Sequence, residues 1–522
     1  MRRLRMFSLF LALLALASCR GLKSDRDSGL PPLPPRLDEQ EAAAGVPQAQ
    51  RALRIALVGE IRGELEPCGC PTVPYGGFVR RQNYLDQLRG NGTPLFHLDA
   101  GEALVKGLAT RSRDGVVDRA DLILELMANV GVDAFAPGPS DLMALGDGWQ
   151  DKLTAAGFTS VSATWLDPVS GQPFLPAAAV VEKAGLKLGV IGLSAKPTDP
   201  EARDKIVMVD PVEAARAAVA SLPDGLDLVV ALSNLQPAET LQVAESVEGL
   251  SAVLSTRAGR YDPPEATAGA PIIETPDRGR YITVLDLQLG AAPGYPLSLE
   301  ERSSTILRER ERIRLQLRVM AEDSPARSGT AARFTELQAE IAELAKGRNL
   351  LSILDSPLGR EFDDEAQVTA ALNAYRGVQL DRAKSVVEGA GATPTGPRYV
   401  TAASCTGCHA AQVAYWTFTD HVNALDVLIE RDSHKNPECV GCHTTGFAEP
   451  GGFADVENPT KLARFKGVQC ESCHGPLSEH PGSGAGPRPI TEATCLACHD
   501  EANSPGFDYE TYLPRARCPP SK

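Results

Sequence analysis

From residue 53 onward, short apolar runs alternate with stretches of helical period. Strand-like runs fall at 53–59, 95–98, 132–135, 186–191, 226–232, 251–254 and 281–289, and helical patterns lie between many of them, at 78–88, 119–130, 211–220 and 238–247. Alternation of this kind predicts an α/β domain over residues 51–290. The pattern then changes. Residues 300–320 and 331–346 are rich in Glu, Arg, Leu and Ala, with a break at 323–329. They predict two long charged helices, arranged as an antiparallel hairpin. A spacer or a dimer interface is one use for such a hairpin; a solvated linker is the one favoured here, and residues 291–397 are assigned to a helical linker. A further helix is predicted over 364–388. Gly, Ala, Thr and Pro punctuate 389–396, and a last segment, 398–522, follows.

The first fifty residues do not read as part of a fold. A basic start, Met1-Arg-Arg-Leu-Arg5, precedes an apolar run over 6–17. This is the form of a signal peptide, residues 1–18, and the run is too short to span a bilayer. Leu16-Ala17-Ser18-Cys19 resembles a bacterial lipobox, which makes Cys19 the expected lipidation site. Two or more acyl chains give firm attachment, and Arg20 favours the outer membrane. Residues 19–50, with Pro31-Pro-Leu-Pro-Pro35, form a tether. The chain is therefore expected on the periplasmic or cell-surface side.

At 522 residues the chain has room for roughly three domains. Its apolar fraction of 43% suits packed cores, but aromatic residues make up only 5%. The formal net charge of −15 argues against nucleic acid as a partner.

Candidate chemistry lies near the C-terminus. Four Cys-x-x-Cys-His motifs occur there: Cys405-Thr-Gly-Cys408-His409, Cys439-Val-Gly-Cys442-His443, Cys470-Glu-Ser-Cys473-His474 and Cys495-Leu-Ala-Cys498-His499. Each reads as a c-type haem attachment site, with two thioether cysteines and a proximal histidine. Zinc sites built from Cys-x-x-Cys halves are the alternative, but zinc does not require a His after every pair. Four covalently attached haems c need four distal ligands as well. The remaining histidines of this segment are His421, His434 and His480, and no Met follows Met320. At least one haem therefore lacks a local His or Met partner. His434 lies in a polar loop, where an exposed loop residue is nearly as good a reading as a ligand. With about 30 residues per haem, no ordinary side-chain core is possible. Short helices and loops are expected, without an extended sheet.

Residues 399–522 resemble the cytochrome c-554 family of tetrahaem cytochromes. The resemblance runs through Ser404 and the first motif, Tyr415-Trp416, Thr419-Asp420-His421, Asn436-Pro-Glu with the second motif, Gly467-Val-Gln with the third, Ser478-Glu479-His480, and the fourth motif with Ser504-Pro-Gly-Phe-Asp508. It implies distal ligation by His421 and His480, and one five-coordinate haem.

The stretch Val58-Gly-Glu60-Ile-Arg62, with Gly76-Gly77-Phe-Val-Arg80-Arg81, is similar to the start of calcineurin-like metallophosphoesterases of the 5′-nucleotidase type. Asp99-Ala-Gly101-Glu102, Pro137-Gly138-Pro139-Ser140-Asp141, Leu232-Ser233-Asn234 and Ser255-Thr-Arg257-Ala-Gly259 follow in that family's order. The resemblance implies an α/β sandwich. Where the family binds two metals, this chain has Glu60, Arg62, Glu102, Pro139, Ser140, Asn234, Arg257 and Gly259. Too few ligands remain to activate a water and clamp a phosphate, so a catalytically inactive domain is expected. An anion-binding cleft at Arg62 and Arg257 is a further possibility. His97, the domain's one histidine, is expected in the core rather than on a metal. Cys68 and Cys70 could chelate a soft metal, act as a thiol switch or form a disulfide, with Cys518 as one candidate partner.

Taken together, these features predict an exported multihaem cytochrome lipoprotein, anchored to the membrane by lipid, that transfers electrons between redox partner proteins. A haem enzyme acting on a small nitrogen oxide, and a metal-dependent phosphoesterase, are the alternatives.

Overall fold

The computed structural model describes residues 51–67, 75–105, 113–197, 200–256, 263–276, 278–291, 294–321, 323–363, 366–389, 396–482, 487–500, 503–504 and 506–519. The signal peptide, the lipobox with Cys19, the tether, Cys68, Cys70, Arg257 and Gly259 lie outside them.

The N-terminal part is a sandwich of two sheets. The first contains β1 (Arg51–Val58), β2 (Leu95–Asp99), β3 (Ala134–Phe135), β4 (Thr159–Ser160), β12 (Tyr281–Leu289), β13 (Leu297–Ser298) and β14 (Asn349–Pro357). These seven strands lie in the order β13-β14-β12-β1-β2-β3-β4. The second sheet contains β6 (Ala178–Lys183), β7 (Leu186–Leu193), β9 (Leu228–Ser233), β10 (Ala252–Thr256) and β11 (Ile272–Thr275). Its order is β11-β10-β9-β7-β6. A small ribbon pairs β5 (Trp165–Leu166) with β8 (Val207–Met208). β1 to β4 run parallel, as do β7, β9, β10 and β11.

The apolar runs explain this layering. Leu53, Ile55 and Leu57 of β1 meet Leu188, Val190, Leu228, Val230 and Leu254 between the sheets. The alternate residues Ala56 and Val58 face the other way, toward the helices Phe78–Arg89 and Arg113–Asn129. Strands buried on both faces read as continuous apolar runs. The second sheet is covered outside by helices Pro211–Ser221 and Pro237–Ser246. The result is an α/β sandwich with helices on both outer faces.

The expected linker over 291–397 is not a linker. Its helices Glu301–Val319 and Arg327–Leu344 do form an antiparallel hairpin. The hairpin then delivers β14, which pairs antiparallel with β12 from Tyr281↔Pro357 to Gln288↔Leu350. Ile306, Leu307, Ile313, Leu317, Phe334, Leu337 and Ile341 pack with Leu350. Arg54 of β1, 2% exposed, pairs with Asp286 at 2.6 Å and with Glu311 of the hairpin at 3.2 Å. The sandwich domain therefore extends through residue 357. The physical reason is that a sheet edge beside β12 needs a partner for its backbone, and the short run Leu350-Leu351-Ser-Ile353 provides it.

Helix Ala366–Glu388 joins the two halves of the molecule. Its first half places Val368, Leu372 and Tyr375 in the core with Phe78, Leu85 and Ile123. Its second half places Leu380, Ala383 and Val387 against Leu425, Leu428, Val440 and Phe447 of the C-terminal segment. That segment consists of short helices, among them Ala402–Cys405, Ala410–Trp416, Ala424–Ile429, Pro437–His443, Cys470–His474 and Glu492–Leu496. Among its described residues the only β pairings are isolated bridges, such as Thr444↔Lys466.

Gly377 sits mid-way along this bridging helix. Proline there removes a helical hydrogen bond and clashes with the preceding turn, at a cost of about 3 kcal/mol. Gly377→Pro is expected to open the junction. Limited proteolysis should then cut near residue 377 and release two fragments, where the unaltered protein resists at that point.

Candidate functional site

The four Cys-x-x-Cys-His motifs converge. The second and third lie within short helices, Pro437–His443 and Cys470–His474, so their cysteines and histidine project from about one turn, whereas the fourth starts near the end of Glu492–Leu496 and runs past it. The first spans the end of helix Ala402–Cys405 and the start of Ala410–Trp416. The Cys405 and Cys470 thiols lie close together, as do those of Cys442 and Cys498. Cys473 lies within electrostatic reach of Cys495. The motifs are thus ordered in space as first, third, fourth, second. Burial pushes the thiol of Cys470 up to about 12, with Cys405 adding to the rise.

The histidines pair across the segment. The rings of His409 and His480 have centroids 6.1 Å apart and are inclined by 30°. Those of His421 and His499 are 6.2 Å apart, inclined by 44°. Two imidazoles on opposite faces of one metal ion, each bonded at about 2.0–2.1 Å, would have centroids about 6.3 Å apart. Both pairs have the separation that a shared haem iron requires. Each joins a motif histidine to one of the two histidines for which the resemblance implies a distal role. His499 Nδ1 lies 2.9 Å from Ser504 Oγ, and His443 Nδ1 lies 2.6 Å from the Ala424 carbonyl. Such bonds fix ring orientation and leave Nε2 for a metal. Phe507 stacks on His499 at 4.9 Å. The residues present therefore fit haem c. No imidazole is paired in this way with His443, His474 or His434 among the described residues. His434 is partly buried, and its nearest charged neighbour is Asp432 at 3.9 Å. These pairings could not be read from spacing, because the partners lie 71 and 78 positions apart.

The strand-end cleft of the sandwich is built differently. The carboxyl ends of β1, β2, β3 and β9 gather there, and several side chains of the cleft are committed to internal hydrogen bonds. Asn234 Oδ1 accepts from Ala195 N, while its Nδ2 donates to the carbonyls of Ala100 and Ala136 at 3.1 and 3.0 Å. Asp141 accepts from the backbone N–H groups of Gly138, Glu102, Ala103 and Leu104, all at 2.8–2.9 Å. Ser140 donates to Glu102. Arg62 reaches Glu60 at 3.5 Å. Pro139 offers no ligating side chain. Glu60, Arg62 and Glu102 hold positive φ of 47°, 50° and 58°, a conformation that costs a non-glycine residue about 1–2 kcal/mol. The paired bonds Glu60 N→Gly101 O and Arg62 N→Glu102 O keep them there.

Burial pushes the Asp99 carboxyl up to about 7 and raises Glu102 as well. Burial, with Arg81 and Arg89 nearby, pushes His97 down to about 3, so it is a neutral core residue. Among the described residues, no cluster of three or more His, Cys, Asp or Glu side chains is arranged to hold a metal ion. The thiol of Cys518 lies near Cys470 and Cys473.

Sequence comparisons agree with this division. Residues 404–475 match the family described as cytochrome c554 and c-prime. Cytochrome c-554 of Nitrosomonas europaea is 36% identical over 87 residues, which is 14% of this chain and 36% of that protein. A probable 5′-nucleotidase of Treponema pallidum is 26% identical over 186 residues, 34% of this chain and 30% of that protein. The chain thus spans about a third of the length of each of these relatives. Among solved structures, the 5′-nucleotidase precursor of Thermus thermophilus is similar at 19% identity with a TM-score of 0.45, over 64% of this chain and 60% of that one. Residues 404–475 thus carry the match to a c-type cytochrome family, and the α/β part that precedes them is similar over part of its length to a probable 5′-nucleotidase.

Asp141 holds the cleft loops through four backbone donors. Leaving buried donors unsatisfied costs about 1–3 kcal/mol apiece, not additively. Asp141→Ala is expected to lower stability by at least about 3 kcal/mol, and Asp141→Asn, which keeps one acceptor oxygen, by less. Chemical denaturation followed by far-UV circular dichroism checks both.

Proposed function

We propose that this protein is an exported electron-transfer cytochrome carrying four haems c, with the phosphoesterase-like domain acting as an inactive scaffold that docks the haem segment. The observation that carries it is the pair of imidazole couples, His409 with His480 and His421 with His499, at 6.1 and 6.2 Å. Haem c bound at the four motifs supplies one-electron redox chemistry. The chain's own residues then attach, orient and enclose it. Cys405, Cys408, Cys439, Cys442, Cys470, Cys473, Cys495 and Cys498 are the attachment points. His409, His443, His474 and His499 are the proximal ligands, and His421 and His480 the distal ones. The proximity of cysteines of neighbouring motifs favours a relay in the order first, third, fourth, second. Attachment of haem c outside the cytoplasm agrees with export, a lipid anchor at Cys19, and redox partner proteins in the periplasm or outer membrane.

The inactive scaffold rests on the commitments of Asn234, Asp141 and Ser140 to internal hydrogen bonds, and on Arg62 standing beside Glu60. A two-metal hydrolase needs those positions free to ligate. A second reading, reaction with a small nitrogen oxide, is favoured by one observation: His443 and His474 have no imidazole facing them among the described residues.

A pyridine haemochrome assay should count four haems per chain. His421→Ala and His480→Ala should each convert one low-spin haem to a high-spin, carbon monoxide-reactive form. A chain that is silent in redox titration and carries zinc instead would sink the proposal. Turnover of a nitrogen oxide would promote the second reading.

A further inference from the structure

The second haem-attachment helix, Pro437–His443, is the one held against the phosphoesterase-like domain. Arg119 projects from helix Arg113–Asn129 and is 3% exposed. One guanidinium nitrogen donates to the Gly63 carbonyl, in the loop that follows β1. Another pairs with Glu438 Oε1, which also accepts from Tyr375 Oη at 3.0 Å. Glu438 is the residue before Cys439. A parallel contact lies beside it. Asn436 caps the same helix through Oδ1, which accepts from Glu438 N at 3.0 Å, and its Nδ2 donates to Glu66 Oε2 at 2.6 Å. Glu66 also pairs with Arg376 of the bridging helix. The loop that carries Glu60 and Arg62 at the strand ends thus runs directly into the support of a haem motif.

A buried ion pair is weak ground for stability, because desolvation offsets its Coulomb energy. Its effect on a nearby redox centre is larger, since charge is poorly screened in a water-poor interior. We propose that Arg119 is a positioning residue for the second haem motif, acting through Glu438, and that the balanced Arg119–Glu438 pair sets the reduction potential of the haem attached at Cys439 and Cys442. This rests on the haem reading above. Oxidised haem iron carries one more positive charge than reduced iron. An uncompensated Glu438 carboxylate stabilises the oxidised form and lowers the potential. An uncompensated Arg119 guanidinium does the opposite.

The test is a spectroelectrochemical titration of the full-length holoprotein. Arg119→Met should move one of four redox components downward, and Glu438→Gln should move the same component upward. The double variant should return toward the unaltered protein, and Arg119→Lys should keep most of the original potential. A role limited to packing predicts shifts of one sign, or loss of haem, in both single variants. Should Arg119→Met fail to fold, Glu438→Gln alone decides: an unchanged or lowered potential overturns the inference. The haemochrome count on the same samples keeps the two ideas apart. Fewer than four haems in the unaltered protein removes the haem reading. Four haems with potentials indifferent to these substitutions removes only the role of Arg119.

Discussion

The structure depends on one continuous helix being buried in two cores at once. Helix Ala366–Glu388 gives Val368, Leu372 and Tyr375 to the sandwich, and Leu380, Ala383 and Val387 to the haem-bearing segment. A helix rises about 1.5 Å per residue, so this one spans both domains as a rigid strut. The described core of the haem segment is small, with Leu425, Leu428, Val440, Phe447, Phe453 and a few others. A segment with so little apolar mass gains stability by sharing a helix with a larger neighbour. The strut also explains why the ion pairs near it are specific. Arg382 meets Asp118 at 2.6 Å, and Arg376 meets Glu66. Such pairs are worth little when exposed; both fasten the strut to the sandwich side.

The strand-end cleft shows side chains turned from the solvent side of a site to the service of its loops. Asn234 and Asp141 tie the loops after β2 and β3 to each other and to the second sheet, and Glu60, Arg62 and Glu102 remain in left-handed backbone conformations. Left-handed backbone and internally bonded side chains thus occur together in this cleft. The loop after β1 continues to Gly63, which accepts from Arg119, and to Glu66, which accepts from Asn436 beside the second motif. A loop held this rigidly at one end is a ready support at the other.

Much of this was legible in the sequence. The four motifs identify the chemistry because their residue order is chemically constrained. The core strands were legible because strands buried on both faces are continuous apolar runs. Helix 364–388 was legible from its length and composition, but its double burial was not, since each half alone is an ordinary amphipathic pattern. β14 was missed. Its apolar run is short and follows two charged helices, and only its pairing with β12 makes it a strand. In the sequence Glu438 belongs only to the stretch that precedes the second motif, with no role of its own. It reads as a polar helix-start residue until Arg119, far earlier in the chain, is brought against it. Periodicity reports which face is buried, not what a polar residue meets across an interface.

The order of the haem motifs gives the molecule a direction. Neighbouring cysteines run from first to third to fourth to second, so the first and second motifs stand at the two ends. The second is the end held by the phosphoesterase-like domain. At the other end Cys408 is exposed, and helix Ala410–Trp416 is covered on one side by the C-terminal tail, where Tyr415 donates to the Arg515 carbonyl and Gln412 to that of Pro519. In the relay proposed above, the end at the first motif is the place for exchange with a partner. The anchored end is the natural place for a fixed electrostatic environment. On that proposal, the α/β domain serves by holding the second motif through Arg119 and Glu438.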